Sequence, residues 1–297
     1  MTALTGLSAF PITPTDADGR VDLDGLRRLV APLAEAGVDS IGLLGSTGTY
    51  AYLSRAERRR ALDATLDEVG GRVPVLVGVG ALRTDEAVRL AEDARAAGAA
   101  AGLLAPVSYT PLGPDEVFAH FEAVAGAGLP LCIYDNPGTT HFAFTPDLVG
   151  RLSRLPGVVA VKSPAPPADG IAAHLAALRA AVRDDFPLGY SVDWHAAEAL
   201  IAGAEAWYSV AAGLFPRECL AIVRAAQAGH PDEARRLDAR MNPLWELFRA
   251  FSSLRVCYAV AAARGSCTAE PPRPILPLPP AARERVARVL ADFDPLA

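Results

Sequence analysis

Val158-Val159-Ala160-Val161-Lys162-Ser163-Pro164 is a short apolar run that ends in the one lysine of the chain. A helical pattern precedes it over 146–152 and another follows over 170–182. A strand signal set between helix signals is the repeating unit of a parallel sheet. Working outward, seven more apolar runs share this setting, at 7–13, 40–44, 73–79, 102–106, 131–134, 188–192 and 206–210. Helical, Ala/Arg/Glu-rich stretches follow them at 22–36, 55–68, 84–97, 114–125, 195–202 and 216–228. Eight such units in roughly 220 residues fit a closed (β/α)8 TIM barrel better than an open, doubly wound sheet. The expected class is therefore α/β. Gly78-Val79-Gly80 is followed by Ala81-Leu82-Arg83, so the dinucleotide fingerprint of the open fold is missing there.

Local signals agree. Ser54 with Glu57 three residues on reads as a capping box at a helix start, and Thr84 with Glu86 and Ala87 reads as another start. Thr145-Pro146-Asp147 places a cap before a first-turn proline and acid. Beyond residue 228 the strands stop. Helical stretches are expected over 231–251, 252–263 and 281–293, with the proline-rich 271–280 running extended between the last two. The expected division is a barrel over 1–228 and a C-terminal helical extension over 229–297, packed on the barrel or on another subunit.

Composition narrows the function. A net charge of −6 leaves no basic excess to neutralise phosphates, which argues against a nucleic-acid partner. No apolar run reaches the length of a membrane span, and Met1-Thr2-Ala3-Leu4-Thr5-Gly6-Leu7 lacks the basic start and apolar core of a signal peptide. Cys132, Cys219, Cys257 and Cys267 are scattered without a CxxC, so a reduced, cytoplasmic setting is expected. Histidines 120, 174 and 230 fall on helical stretches and read as solvated. None forms HxH or HxxxH, so no metal is expected. Arg58-Arg59-Arg60 reads as a solvated helix face.

The chemistry centres on the lysine. Of 28 cationic side chains, 27 are arginine. Where charge alone was needed, arginine served. A desolvated lysine can lose its proton and attack a carbonyl, whereas arginine stays protonated. The plainer alternative is a lysine snorkelling from a strand end beside arginines that reflect base composition. Working residues of such barrels lie at the C-terminal ends of strands. Lys162 ends the sixth run and Tyr134 the fifth, about 4.8 Å apart across the sheet. A phenol beside an amine can carry the protons of carbinolamine formation and dehydration. The second run ends in Gly45-Ser46-Thr47-Gly48-Thr49, whose amides and hydroxyls can surround a carboxylate. His195 follows Asp193-Trp194 at the end of the seventh run and is a candidate substrate contact.

Gly45-Ser46-Thr47-Gly48, then Leu53-Ser54-Arg55-Ala56-Glu57-Arg58, then Tyr134-Asp135-Asn136-Pro137-Gly138, then Val161-Lys162 resemble the N-acetylneuraminate lyase/dihydrodipicolinate synthase family over nearly the whole chain. The resemblance implies a (β/α)8 barrel with a C-terminal helical extension, usually tetrameric. It also implies a class I aldolase or lyase that forms a Schiff base with pyruvate or a related 2-oxo acid. Carried over by position, Lys162 is the Schiff-base residue, Tyr134 the proton shuttle and Ser46 part of the hydroxyl relay. Thr47, with Gly48, holds the 2-oxo acid carboxylate.

The departures sharpen the expectation. Thr49 replaces the motif's usual glutamate. Thr139 stands where dihydrodipicolinate synthases place an arginine that holds the aldehyde's carboxylate. Ser108, next to Tyr109, replaces the tyrosine that enters a neighbour's site. Val192 takes the place of the strand-seven glycine, and Tyr208 that of an aliphatic on strand eight. Tyr190, Trp194 and Tyr208 are expected to form an aromatic mouth, so Thr139, Tyr190, Val192 and Tyr208 join Thr47 and Gly48 as substrate-binding candidates. The favoured reading is a Schiff-base aldolase or hydro-lyase that is not a true dihydrodipicolinate synthase. The alternatives are a catalytically impaired 2-oxo acid binder, a genuine 4-hydroxy-tetrahydrodipicolinate synthase, and an isomerase of phosphorylated substrates, which the lack of a second lysine disfavours. No cofactor is expected, because the imine serves as electron sink. The expected partners are a small 2-oxo acid and identical subunits, as a tetramer or dimer.

Overall fold

The computed structural model describes residues 4–292. Eight parallel strands close into a barrel in sequence order. They are β1 Gly6–Ala9, β2 Ser40–Leu43, β3 Val75–Gly78, β4 Ala101–Leu104, β5 Leu131–Tyr134, β6 Val158–Pro164, β7 Leu188–Ser191 and β8 Ala206–Ser209. Closure is made by β1 against β8, with Gly6 opposite Ala206 and Ala9 opposite Ser209. The helices are α1 Leu23–Ala36, α2 Arg55–Val69, α3 Thr84–Ala97, α4 Pro114–Ala125, the single-turn α5 Pro137–Thr140, α6 Pro146–Ser153, α7 Ala168–Ala181, α8 Ala196–Ile201 and α9 Pro216–Gln227. Beyond them lie α10 Pro231–Arg240, α11 Asn242–Phe251, α12 Ser253–Ala263 and α13 Pro280–Asp292. The TIM barrel with C-terminal helices is the architecture expected from the alternating pattern. None of the helices is long and apolar enough to cross a membrane, among the described residues.

Strand alternation divides the apolar residues into two bodies. Ile41, Val75, Ile133, Val161, Leu188 and Trp207 face the helix layer and form the large core with it. Phe10, Leu76, Leu103, Cys132, Tyr134, Ala160 and Tyr208 form a separate cluster in the barrel interior. A register shift between Leu131 and Cys132 brings Cys132 opposite Ala160 and Tyr134 opposite Lys162. It thereby sets the phenol and the amine side by side on the inner wall.

The caps explain where helices begin. Asp22 accepts Gly25 N at 2.9 Å to start α1, and Thr145 Oγ1 accepts Leu148 N at 3.2 Å to start α6. Ser54 caps α2 through Glu57 N. Glu57 does not complete the expected box. Its carboxylate instead accepts Val21 N at 2.7 Å and tethers the β1–α1 loop to α2. Thr84 opens α3, as expected from the sequence, and its hydroxyl meets His120 Nδ1 at 3.0 Å.

The tail differs from the expectation at one point. The helical stretch over 231–251 is two helices, because Pro243 lacks the N–H that would continue α10 and instead opens α11. These helices pack on the barrel. Trp245, Leu247 and Phe248 are buried, and the Tyr258 hydroxyl donates to Thr13 O at 3.2 Å, joining α12 to the loop after β1. Phe293, expected in the last helix, lies outside the described residues.

Candidate active site

Lys162 is 3% exposed and lies in the barrel interior two residues before the end of β6. Its Nζ stands 3.8 Å from the ring centroid of Phe10, 4.4 Å from that of Tyr134 and 5.9 Å from that of Tyr208. No carboxylate reaches ion-pair distance of this amine among the described residues. Burial pushes its pKa down from 10.5 to about 7, against the opposing influence of Cys132 and Asp193. The setting is that of a primary amine that holds a large neutral fraction at neutral pH.

Tyr134, on the neighbouring strand, is also buried. Its hydroxyl is 2.9 Å from Ser46 Oγ and accepts Asn136 Nδ2 at 2.9 Å. Burial raises its pKa, and the two hydrogen bonds pull the other way. A chain of exchangeable protons thus runs from Ser46 at the end of β2 to the phenol beside the amine. In the sequence Asn136 stood only inside the Tyr134–Gly138 motif, with no role of its own. Its place directly before Pro137, where the chain leaves β5, is the signal that locates it.

The 44–49 loop is tightly wound. Leu44 and Thr49 have φ of 56° and 53°, and Thr49 N bonds Ser46 O at 3.1 Å. A Cβ on Gly48 would stand 2.9 Å from the Leu44 backbone, and one on Gly78 would stand 1.9 Å from Leu44 O. Both glycines are therefore needed for the loop to lie this close to the barrel. The amides of Ser46, Thr47 and Gly48 donate to no acceptor among the described residues. Together with the Thr47 hydroxyl they are, among the described residues, unused donors just beyond the strand end.

The other candidates divide. Val192 follows β7 with φ of 71°, a left-handed conformation that favours glycine and strains a β-branched residue. Asp193, next in the chain, is buried. It accepts Trp207 Nε1 at 2.9 Å and Ala211 N at 3.2 Å, fixing the ends of β7 and β8 together. Burial raises its pKa, opposed by these bonds. Thr139 is exposed on α5, and its hydroxyl turns back to Asn136 O. Ser108 Oγ donates to Thr110 O within its own loop, and Tyr109 is 97% exposed.

The expected aromatic mouth does not form. Lys162 is paired with Gly189, so the next residue, Tyr190, points away from the barrel interior. Its hydroxyl meets His174 Nδ1 on α7 at 2.8 Å, and it takes no part in the site. Tyr208 does face inward, but its hydroxyl lies 3.6 Å from Cys132 Sγ, one layer below Tyr134, and belongs to the floor. Trp194 is half-buried at the rim, with the Arg249 guanidinium 5.8 Å from its ring. His195 is half-buried beside it, and burial lowers its pKa.

Two further expectations are corrected. His120 is buried against Thr84 and Phe121, and His174 is half-buried on Tyr190, so only His230 of the three is solvated. Arg59 and Arg60 lie on the solvated face of α2, but Arg58 is buried. Its guanidinium donates to Gly78 O at 2.7 Å and Gly80 O at 3.0 Å. Phe10 was missed altogether. The four cysteines are free and buried, and no group of three or more His, Cys, Asp or Glu side chains could hold a metal ion among the described residues.

Comparison with known proteins agrees with this geometry. Residues 3–292 match the model of the dihydrodipicolinate synthetase family. A 4-hydroxy-tetrahydrodipicolinate synthase of Methanospirillum hungatei is 35% identical over 280 residues, covering 92% of this chain and 93% of the relative. A crystal structure of dihydrodipicolinate synthase from Agrobacterium tumefaciens superposes with a TM-score of 0.96 at 54% identity, over 98% of each chain. The chloride-inhibited enzyme of Acinetobacter baumannii, complexed with pyruvate, gives a TM-score of 0.90 at 28% identity, over 99% of this chain and 100% of that one. The barrel, the inward-facing lysine and these matches lead to one conclusion: the chain belongs to the dihydrodipicolinate synthetase family and is a class I, lysine Schiff-base lyase.

Proposed function

We propose that Lys162 condenses with the keto group of pyruvate or a related 2-oxo acid, and that the resulting imine makes or breaks a carbon–carbon bond or eliminates water. The neutral amine attacks C2, and its lone pair forms the new C–N bond as the carbonyl π electrons move to oxygen. Tyr134 gives a proton to that oxygen and is reprotonated along the Ser46 chain. A second proton transfer releases the oxygen as water and leaves the protonated imine. Loss of a C3 proton then gives an enamine, the carbon nucleophile for an aldehyde acceptor; the reverse course cleaves an aldol. The substrate carboxylate is held by Thr47, Gly48 and the free amides of their loop. The observation that carries this reading is the dry setting of Lys162, with an amine pKa of about 7 beside Tyr134.

The acceptor or leaving group differs from that of a true dihydrodipicolinate synthase. Thr139 puts no cation in the loop after β5, so an aldehyde bearing its own carboxylate has no guanidinium there to meet it. The second reading, a genuine 4-hydroxy-tetrahydrodipicolinate synthase, draws on the printed name of the Methanospirillum relative. The active form is an assembly of identical subunits, a tetramer or dimer, which would cover the exposed side chains of Leu82 and Tyr109. The four buried free thiols suit a reducing cytoplasm.

Borohydride reduction in the presence of a panel of 2-oxo acids, followed by peptide mapping, tests the reading. An irreversible adduct confined to Lys162 is expected for pyruvate or a near analogue. An unmodified Lys162 with every member of the panel would refute it. Production of the cyclic condensation product from pyruvate and aspartate semialdehyde, at a rate near that of pyruvate imine formation, would favour the genuine synthase.

A further inference from the structure

Phe10 takes no part in the proton relay, yet its ring centroid is nearer to Lys162 Nζ than that of either neighbouring tyrosine, at 3.8 Å. It stands one residue beyond the end of β1, and two glycines make room for it. A Cβ on Gly42 would lie 2.2 Å from Phe10 Cζ, and one on Gly45 would lie 2.7 Å from Cδ1. Tyr208 meets the same ring edge-on, with centroids 6.2 Å apart and planes at 72°. Tyr208 in turn fills the space left by Gly189, where a Cβ would be 2.3 Å from its Cε2. Three absent side chains thus admit two rings to the barrel interior beneath the amine.

We propose that Phe10 is a positioning residue that holds the Lys162 amine against its ring face and stabilises the cationic form of that nitrogen. This deepens the reading of Lys162 as the Schiff-base residue and rests on it for its functional meaning. A cation over an aromatic face is attracted by the ring quadrupole, and the attraction strengthens where water is excluded. Other groups turned toward Lys162 are Tyr134 and Cys132 from β5, Asp193 from the turn after β7 and Tyr208 from β8. None makes an ion pair or hydrogen bond with Nζ among the described residues. The amine therefore faces rings where a structural cation would face oxygen acceptors. Burial disfavours the charged nitrogen, and the Phe10 face works against that penalty. The Phe10 face keeps the ammonium accessible and afterwards shields the positively charged imine formed at the same atom.

The chain has one lysine, so 13Cε-lysine labelling gives a single side-chain titration without assignment. The full-length protein is compared with a series carrying mono-, di- and trifluorophenylalanine at position 10, which removes ring-face charge at nearly constant shape. The midpoint is expected to fall stepwise, by about half to one pH unit across the series. Phe10→Leu provides an independent variant with an apolar side chain and no ring, and its midpoint is expected to fall by a similar amount. A midpoint that stays fixed across the fluorinated series overturns the proposal. So does one that rises in Phe10→Leu while the fluorinated series stays flat, because the ring would then act only by excluding water. The titration needs no substrate. Pyruvate trapping on the unsubstituted protein judges the Schiff-base reading separately, so failure of one is distinct from failure of the other.

Discussion

Among the described residues Arg58 and Lys162 are buried cations, one outside the barrel sheet by the β3 end and one inside the barrel on β6, and they are treated in opposite ways. Arg58 lies between α2 and the β3 end, with two carbonyl oxygens as hydrogen-bond acceptors and the Tyr50 ring 5.3 Å away. Burial lowers its pKa to about 10, which still leaves it charged at neutral pH. Lys162 lies inside the barrel with ring faces where Arg58 has oxygens, and its pKa falls to about 7. A buried guanidinium with acceptors is a strut. A buried amine without them is a reagent held at the edge of its charge change. Burial alone therefore does not mark a reactive group; what the cation faces does.

The largest expected effect comes from removing the reagent. Lys162→Arg keeps a cation but no nucleophile, so adduct formation should vanish and turnover should fall by at least about 10⁴-fold. Lys162→Met should also abolish turnover, while raising the thermal midpoint. The sign follows from the lowered amine pKa. The folded state binds this proton more weakly than the unfolded chain does, so the lysine costs stability at neutral pH, and the cost shrinks as pH rises from 7 toward 10.5. A Lys162→Met protein that melts earlier than the parent at pH 7 would break the comparison.

Tyr134→Phe removes the proton carrier but leaves the amine. Trapped imine should form about 10²- to 10⁴-fold more slowly, with Ser46→Ala showing a smaller loss in the same stopped-flow assay. Arg58→Met sharpens the other half of the contrast. Leaving Gly78 O and Gly80 O without donors should cost about 2–3 kcal/mol in urea unfolding. The acid limb of the activity profile should stay in place. The smallest effect is expected from Val192→Gly, which relieves a left-handed β-branched residue but adds chain entropy to the unfolded state. Its net stability change should be within about 1 kcal/mol by chemical denaturation.

What the sequence made legible follows from locality. Lys162, Tyr134 and Ser46 could be singled out together because each ends an apolar run or lies within two residues of one, and strand ends are where such barrels work. That Tyr134 and Lys162 are neighbours follows from the order of the strands, whereas the register shift that seats them directly opposite one another left no sign in the sequence. Phe10 could not be placed this way. Its contact with Lys162 spans the barrel lumen, and the only local trace was an absence of side chains at Gly42 and Gly45. Tyr190 was misassigned because strand parity was not followed across the sheet. An inward Lys162 opposite Gly189 turns position 190 outward. Arg58 carried a readable sign, since Ala61, Leu62 and Thr65, three, four and seven residues on, are all buried on the same helical face. The packing of His120 and His174 was missed because their partners, Thr84 and Tyr190, come from other elements.

The account turns on a single nitrogen being uncharged often enough near neutrality to attack a ketone. Its most direct test is the rate of borohydride-trapped pyruvate adduct on Lys162 as a function of pH, read by intact mass and confirmed by mapping. The acid limb should rise with a midpoint of about 7 and flatten above it. A rate still climbing toward pH 10, as for an ordinary solvated lysine, would contradict the account, as would an adduct located anywhere other than Lys162.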